Sequence, residues 1–304
     1  ADVGPKGQAA FREARILVVG VGGLGSPLAL YLAAAGIGQL GLVDADQVSL
    51  SNLQRQILFQ TADCGLSKVK IAGERIEALN PDTQCRLYPL FLDSGNAETI
   101  AEDYDIIVDA SDNFETKYLL NDLAVKLNKP LVYGSILRFQ GQVSVFWAAR
   151  GPCYRCLFPE LPRQGIPNCA EAGVLGAVAG VIGSLQALEV MKLILLQNNL
   201  LPDTHETLIG RLLTFDGSKM NQQIIRLPKD PDCPVCSRKA HEIILPRLDL
   251  SCTFTPGDPK EILEHWQNYH WIDVREEEEW ERGHIPNALL WPLSRLKANA
   301  WPLP

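Results

Sequence analysis

The chain has 304 residues, 46% of them apolar, and a formal net charge of −8. It is long enough to bury a large core and to hold one big domain with a smaller one beside it. With no basic tract to neutralise phosphates, nucleic acid is excluded as the main partner, and no uninterrupted apolar run reaches the length of a membrane span.

The first 14 residues are polar, contain Gly4, Pro5 and Gly7, and read as the tail of a helix or arm; they lack the apolar core of a secretory signal. Residues 16–19 form a short β-branched run, which predicts a buried strand. It runs into Gly20-Val-Gly22-Gly23-Leu-Gly25, then an Ala/Leu-rich helical stretch that stops near Gly36. A second apolar run, 40–43, finishes on Asp44. Strand, glycine turn, helix, strand and acid in that order make the βαβ grip on a nucleotide. The glycines let backbone N–H groups approach a phosphate, the helix N-terminus adds partial positive charge, and the acid accepts hydrogen bonds from ribose hydroxyls. The alternative here is a tight βα turn without a ligand, and the stretch does not say which nucleotide.

Downstream, the pattern predicts a helix over 66–79 ending at Asn80-Pro81, a strand over 84–88, a helix over 96–102, a buried strand over 104–110, an amphipathic helix over 114–127 and a strand over 130–135. Such alternation belongs to a doubly wound α/β sheet. Beyond Arg138 the pattern changes: residues 141–147 alternate as an antiparallel strand would, and 208–215 with 222–227 fit a hairpin. The sheet is therefore expected to be mixed. The apolar stretch 173–196 carries Gln186, Glu189 and Lys192 and reads as a buried helix. Residues 1–240 are expected to form the main domain, 241–259 a linker rich in proline, and 260–304 the start of a second unit.

Cys153-Tyr-Arg-Cys156 and Cys233-Pro-Val-Cys236 together make the donor set of a tetrahedral four-thiolate zinc site, with no position open for water and so structural. A redox pair or ordinary thiols are the alternatives. CxxC pairs used this way fit a reducing compartment, which points to the cytoplasm. Asp44 and Asp46 fall at one strand's carboxyl end, and Asp109 and Asp112 at another, the edge that lines the ligand crevice of an open α/β sheet. Arg55 and Lys68 lie on elements that return to this edge. Two cations and a carboxylate there supply what nucleotidyl transfer needs: charge neutralisation on phosphate and a grip on magnesium. Singly, each has a plainer reading. Asp112 with Glu115 could cap the following helix, Lys68 beside Lys70 could be a solvated face, and Asn52 and Arg55 could be turn residues.

The joint pattern Asp44-x-Asp46, Ser51-Asn-Leu-Gln-Arg-Gln56, Lys68, Ser111-Asp-Asn113 and the two CxxC pairs resembles the MoeB/ThiF family of ubiquitin-activating-like adenylyltransferases over roughly residues 8–240. The resemblance implies a Rossmann-like mixed sheet and ATP-dependent adenylation of the C-terminal glycine of a ubiquitin-fold sulfur carrier of the MoaD/ThiS type. It places ATP against Gly22, Gly23, Asp44, Ser51, Asn52, Leu53, Gln54, Arg55, Lys68, Asp112 and Asn113, with Asp112 acting through Mg²⁺, and zinc on the four paired cysteines. It implies a homodimer and admits a cysteine desulfurase as sulfur donor. Cys169, just before the long helix, matches a position proposed in relatives to take the acyl group. A helix N-terminus lowers a thiol's pKa, and an exposed loop thiol is the alternative.

Trp271-Ile-Asp-Val-Arg-Glu276 and Gly283-His-Ile-Pro-Asn-Ala288 resemble the opening of a rhodanese domain, as in the branch of this family fused to a sulfurtransferase. That domain's persulfide cysteine is expected beyond Pro304, and the family's N-terminal arginine arm before Ala1, so the sequence reads as one lacking both. Two rival functions stand beside adenylation: a subunit that holds a nucleotide and docks a ubiquitin-like protein without chemistry, and an NAD-dependent oxidoreductase. The second shares only the first 45 residues and leaves Arg55 and Lys68 without a purpose.

Overall fold

The structure is a computed structural model and describes residues 3–161, 173–246, 272–273, 275–281, 283–284 and 288–292. The main unit is organised by an eight-stranded sheet in the order β3-β2-β1-β4-β5-β6-β7-β8. Its strands are β1 (Arg15–Val19), β2 (Gln39–Val43), β3 (Gln84–Tyr88), β4 (Ile106–Asp109), β5 (Leu131–Leu137), β6 (Gln140–Phe146), β7 (Arg211–Asp216) and β8 (Asn221–Arg226). The first five run parallel and the last three antiparallel. The mixed sheet expected from the change of pattern after Arg138 is thus observed, and the change falls at the two-residue turn between β5 and β6. β1 is buried on both sides, as a central parallel strand must be.

The helices are α1 (Gly4–Glu13), α2 (Gly25–Ala34), α3 (Lys68–Leu79), α4 (Ala97–Ala101), α5 (Phe114–Lys126), α6 (Tyr154–Leu157) and α7 (Gly176–Gln197). Alternate β1 residues feed two cores. Ile16 and Val18 pack with α1, α2, α3 and α7, whereas Leu17 and Val19 pack with α4, α5 and α6. Two-faced coverage of this kind follows from βαβ crossovers. The helix α7 is long and apolar enough to cross a membrane by composition alone, but it lies against β5, β6 and α2, with 61% of its most apolar window buried. Its Gln186 is fully buried and donates to the Asp109 carbonyl at 2.7 Å.

One expectation needs correction. The helix α5 is not a two-faced surface helix: every residue from Lys117 to Ala124 is buried. The sheet covers one side, and α6 with the segment around Leu227 and Leu245 covers the other.

The chain divides at residue 248, and residues 249–304 form a second unit. Its described part has two short parallel strands, β9 (Ile272–Asp273) and β10 (Leu289–Leu290), and one helical turn, α8 (Glu277–Trp280). Arg275 forks onto both oxygens of Asp273, Nε to Oδ1 at 2.9 Å and Nη2 to Oδ2 at 2.6 Å, and holds that carboxyl down at about 2. The helix expected over 260–267 lies outside the described residues.

Candidate nucleotide site and cysteine cluster

Strand register puts the functional segments at one level. Val19 pairs with Val43 and with Asp109, and Asp109 pairs with Tyr133, so Gly20, Asp44 and Ala110 begin the same carboxyl edge, level with Gly134 inside β5. Gly20 has φ +91°, and a Cβ there would lie 2.7 Å from the Ala110 carbonyl oxygen. Only glycine lets β1 turn this close to the end of β4. The following helix, α2, has no side-chain cap, so its N-terminal backbone groups are not claimed by a capping side chain.

Asp44 is nearly buried and accepts from the Val21 N–H at 2.9 Å and, through its other oxygen, from the Asp46 N–H at 2.9 Å. Burial pushes its carboxyl above the usual carboxylate range, against the pull of Lys68 and of both backbone donors. Lys68, 4% exposed, donates to Asp46 at 2.7 Å and sits 3.9 Å from Asp44. It is no solvated face; its ammonium is tucked behind the acid that grips the glycine turn.

Arg55 arrives from the irregular segment that follows the short 3₁₀ turn Leu50–Asn52. A Cβ on Gly23 would meet its Cγ at 3.3 Å, so the arginine stem packs on the glycine. Arg55 as a whole is half-buried, and its guanidinium has no ion pair or hydrogen bond among the described residues. A cation held at a glycine turn without a carboxylate is placed for an anion that comes from outside. Of the rest of that segment, Ser51 shares a hydrogen bond with Ser49 at 3.0 Å, the Asn52 carbonyl accepts from the Arg55 and Gln56 N–H groups, and Leu53 packs on the core. Gln54 is exposed, and its carbonyl abuts Gly176.

Asp112 is exposed, just past the Ala110–Ser111 backbone that touches Gly20, and its carboxylate has no partner among the described residues. The helix cap comes from its neighbour: the Asn113 side chain accepts from the Thr116 N–H at 2.8 Å. Asp112 is thereby released from the capping role open to it in the sequence.

Asp109 departs from expectation. It does not line the crevice; it is fully buried and accepts from Lys117 at 3.0 Å and from the Ser111 hydroxyl at 2.6 Å. Lys117 also donates to the Ser111 and Gly134 carbonyls, at 3.1 and 2.9 Å. This buried lysine was not singled out in the sequence, because it reads there as one charge on a helix with polar neighbours. Gln56 was also passed over, although it closes the Ser51–Gln56 motif. It is 3% exposed beside Gly22, and its Oε1 has no hydrogen-bond partner among the described residues. An orphaned amide oxygen at such a turn marks a place where something else completes the bonding.

Next to the Asp112 loop is a cavity of about 710 Å³, lined by Phe114, Tyr118, Tyr133, Tyr154, Phe158 and Pro159.

The two cysteine pairs meet, although 80 residues separate them. Cys153 and Cys233 sulfurs are 3.5 Å apart, Cys156 and Cys236 3.5 Å, and Cys153 and Cys156 3.9 Å. All four lie within 4.8 Å of one another and form the only such metal-ligating group among the described residues. Four thiolates on tetrahedral zinc at about 2.3 Å would stand about 3.8 Å apart, so the set fits that ion. Burial, with the other three sulfurs adding to it, pushes the Cys153 thiol well up, a charge problem that a divalent cation resolves. Cys169 lies outside the described residues.

Comparison with known proteins places both units in known families. The ThiF family model matches residues 1–235, and a rhodanese-like domain model matches residues 256–303. Similar relatives include the probable adenylyltransferase/sulfurtransferase MoeZ of Mycobacterium tuberculosis (strain H37Rv), 42% identical over 98% of this chain and 78% of its own. The sulfur carrier protein adenylyltransferase of Thermus thermophilus is 47% identical over 77% of this chain and 86% of its own. Among solved structures, E. coli MccB with ATP superposes with a TM-score of 0.66 at 21% identity, over 76% of this chain and 69% of that one, a likeness of fold.

Proposed function

The chain belongs to the ThiF family, and from that membership we propose that it adenylates the C-terminal glycine of a ubiquitin-fold sulfur carrier of the MoaD/ThiS type. The observation that carries this reading is the Arg55 guanidinium at Gly23, unpartnered among the described residues, with Lys68 locked behind Asp44 at the same turn. In the reaction a carrier carboxylate oxygen attacks the α-phosphorus of ATP, the α–β bridging bond breaks, and pyrophosphate leaves with the electron pair. Backbone N–H groups near Gly22 and Gly23 receive phosphate oxygens, and Asp44 accepts from the ribose. Arg55 and Lys68 offset the charge that accumulates in transfer, so the protein mainly positions and neutralises. Ser51, Asn52, Leu53 and Gln54 carry Arg55 to the turn, and Asn113 holds the start of α5 beside Asp112.

Magnesium supplies further neutralisation when bound. Asp112 fits it, being an exposed carboxylate at the phosphate edge with no protein partner among the described residues. Its helix-side neighbour Asn113 does the capping, so the acid can turn outward. The aromatic cavity beside that loop suits an extended Gly-Gly tail on its way to the phosphate. Zinc on Cys153, Cys156, Cys233 and Cys236 is structural in this reading.

The reading extends to a homodimer, to a cytoplasmic setting and to a cysteine desulfurase as a later sulfur donor. Val181 and Leu188, exposed seven residues apart on α7, support a subunit contact on that face. Cys169 belongs to a step after adenylation, in which its thiolate attacks the acyl-adenylate carbonyl, the acyl–phosphate bond breaks and AMP leaves.

Carrier-dependent ATP–pyrophosphate exchange tests the assignment. Asp112→Ala is expected to abolish exchange while the circular dichroism spectrum and melting temperature stay those of the wild type. Exchange at the wild-type rate in that variant would refute the role given to Asp112.

A further inference from the structure

The segment that leaves the first cysteine pair is held to α5 by a clasp that adenylation chemistry does not employ. Its centre is Arg155, between the two cysteines of the first pair. Nε and Nη2 of Arg155 donate to the two oxygens of Asp122 at 2.8 and 2.7 Å, a bidentate fork. Its Nη1 donates to the Pro159 carbonyl at 3.1 Å, and the guanidinium lies 4.7 Å above the Tyr118 ring. The Tyr118 hydroxyl in turn donates to the Glu160 carbonyl, and the Tyr154 N–H donates to the Asn121 side chain at 2.7 Å. Three residues of α5, about one turn in all, therefore grip the chain from 154 to 160.

The clasp is well buried, with the Asp122 side chain 3% exposed and that of Arg155 17%. Withdrawing such a pair from water is costly, and an apolar pair of similar volume would hold the two elements at least as firmly. What the fork adds is exact spacing, because a planar guanidinium on a carboxylate admits one geometry. That spacing bears on the cavity, because Tyr118, on α5, and Phe158 and Pro159, in the segment the clasp holds, all line it.

Resting on the adenylation reading, we infer that Arg155 is a positioning residue that sets the width of the slot for the carrier's C-terminal tail. A Gly-Gly tail brings almost no side-chain surface, so its binding depends on walls already at the right separation. Arg155 makes none of its contacts with the glycine turn, Arg55 or Lys68. Its effect therefore falls on the carrier and not on ATP.

The experiment measures steady-state exchange by the whole chain with a MoaD/ThiS-type carrier, comparing wild type with Arg155→Met, Arg155→Lys and Asp122→Asn. In Arg155→Met the KM for carrier is expected to rise by about tenfold or more, with kcat at saturating carrier and KM for ATP within about twofold of wild type. Asp122→Asn gives a similar rise, and the double variant little more, since both break one interaction. Arg155→Lys keeps the charge but not the fork and recovers only part of the loss. Zinc content, read by atomic absorption, stays at the wild-type level.

An unchanged carrier KM in Arg155→Met overturns the inference while the adenylation reading stands. So does an equal rise for ATP and carrier, or loss of zinc, because either marks a general structural role. A wild-type chain that gives no exchange with any such carrier overturns the parent reading, and this inference falls with it.

Discussion

Lys68 and Lys117 share an odd placement. Each lies in the first turn of a helix, where the macrodipole disfavours a cation, and each is 4% exposed. Both are tolerated for one reason: a carboxylate at a strand's carboxyl end faces them, Asp46 with Asp44 for the first and Asp109 for the second. The two pairs do different work. The first leaves its acid on the glycine turn, whereas the second ties together Asp109, Ser111 and Gly134, the backbone on which Asp112 is mounted. Lys117→Met would strand a fully buried Asp109 charge, and removing one partner of such a pair costs about 3–5 kcal/mol. Urea unfolding should show that loss, and adding Asp109→Leu should recover much of it. A midpoint unchanged in Lys117→Met would show that Asp109 is not held as a charge.

Among the elements, α7 decides how the Arg55 segment sits. Its first residue, Gly176, has no room for a side chain, because a Cβ there would lie 2.2 Å from the Gln54 carbonyl oxygen and 3.2 Å from the Arg55 Cα. Three residues on, the Ala179 Cβ comes within 3.4 Å of the site a Gly23 Cβ would occupy. The start of α7 is thus the floor under both the arginine and the glycine turn. Gly176→Val must push the 54–55 backbone away, and the expected result is a KM for ATP raised about tenfold or more with the carrier's KM little changed. Isotopic exchange over an ATP series measures it. In sequence, α7 could be read as an apolar buried helix and no more. Its 3.6-residue period is absent because the face it leaves exposed, with Val181 and Leu188, is apolar too, and a helix without a polar face does not announce which element it will touch. The same holds for α5, whose polar residues Lys117, Asn121 and Asp122 looked like a solvent face and proved to be buried partners.

Across the whole main unit, the cysteine cluster joins segments 80 residues apart. Cys153 with Cys156 follows β6, and Cys233 with Cys236 follows β8, so one ion would pin the antiparallel end of the sheet to α5 through α6. Stripping zinc with a strong chelator, or changing Cys233→Ser, should lower the melting temperature by about 10 °C or more, given about 2–4 °C per kcal/mol for a domain of this size. Differential scanning calorimetry with and without added zinc checks it. An unchanged melting temperature after complete zinc removal would leave the cluster without a structural role.

What the amino-acid order determined by itself is local in origin. The strand–glycine turn–helix–strand of residues 15–44 was legible because turn chemistry and burial period are written in adjacent residues. The change from parallel to antiparallel near Arg138 was legible because alternation replaced continuous apolar runs. The cysteine pairs could be matched because two-residue gaps make knuckles. Only the tertiary structure decided which polar side chains meet. It brought Arg55 against Gly23, buried Asp109 under Lys117, left the Gln56 oxygen without a partner among the described residues and clasped Arg155 to Asp122. Apart from Asp109 with Lys117, those pairings depend on strand order and register, which join residues tens of positions apart and leave no spacing for a linear reading to find.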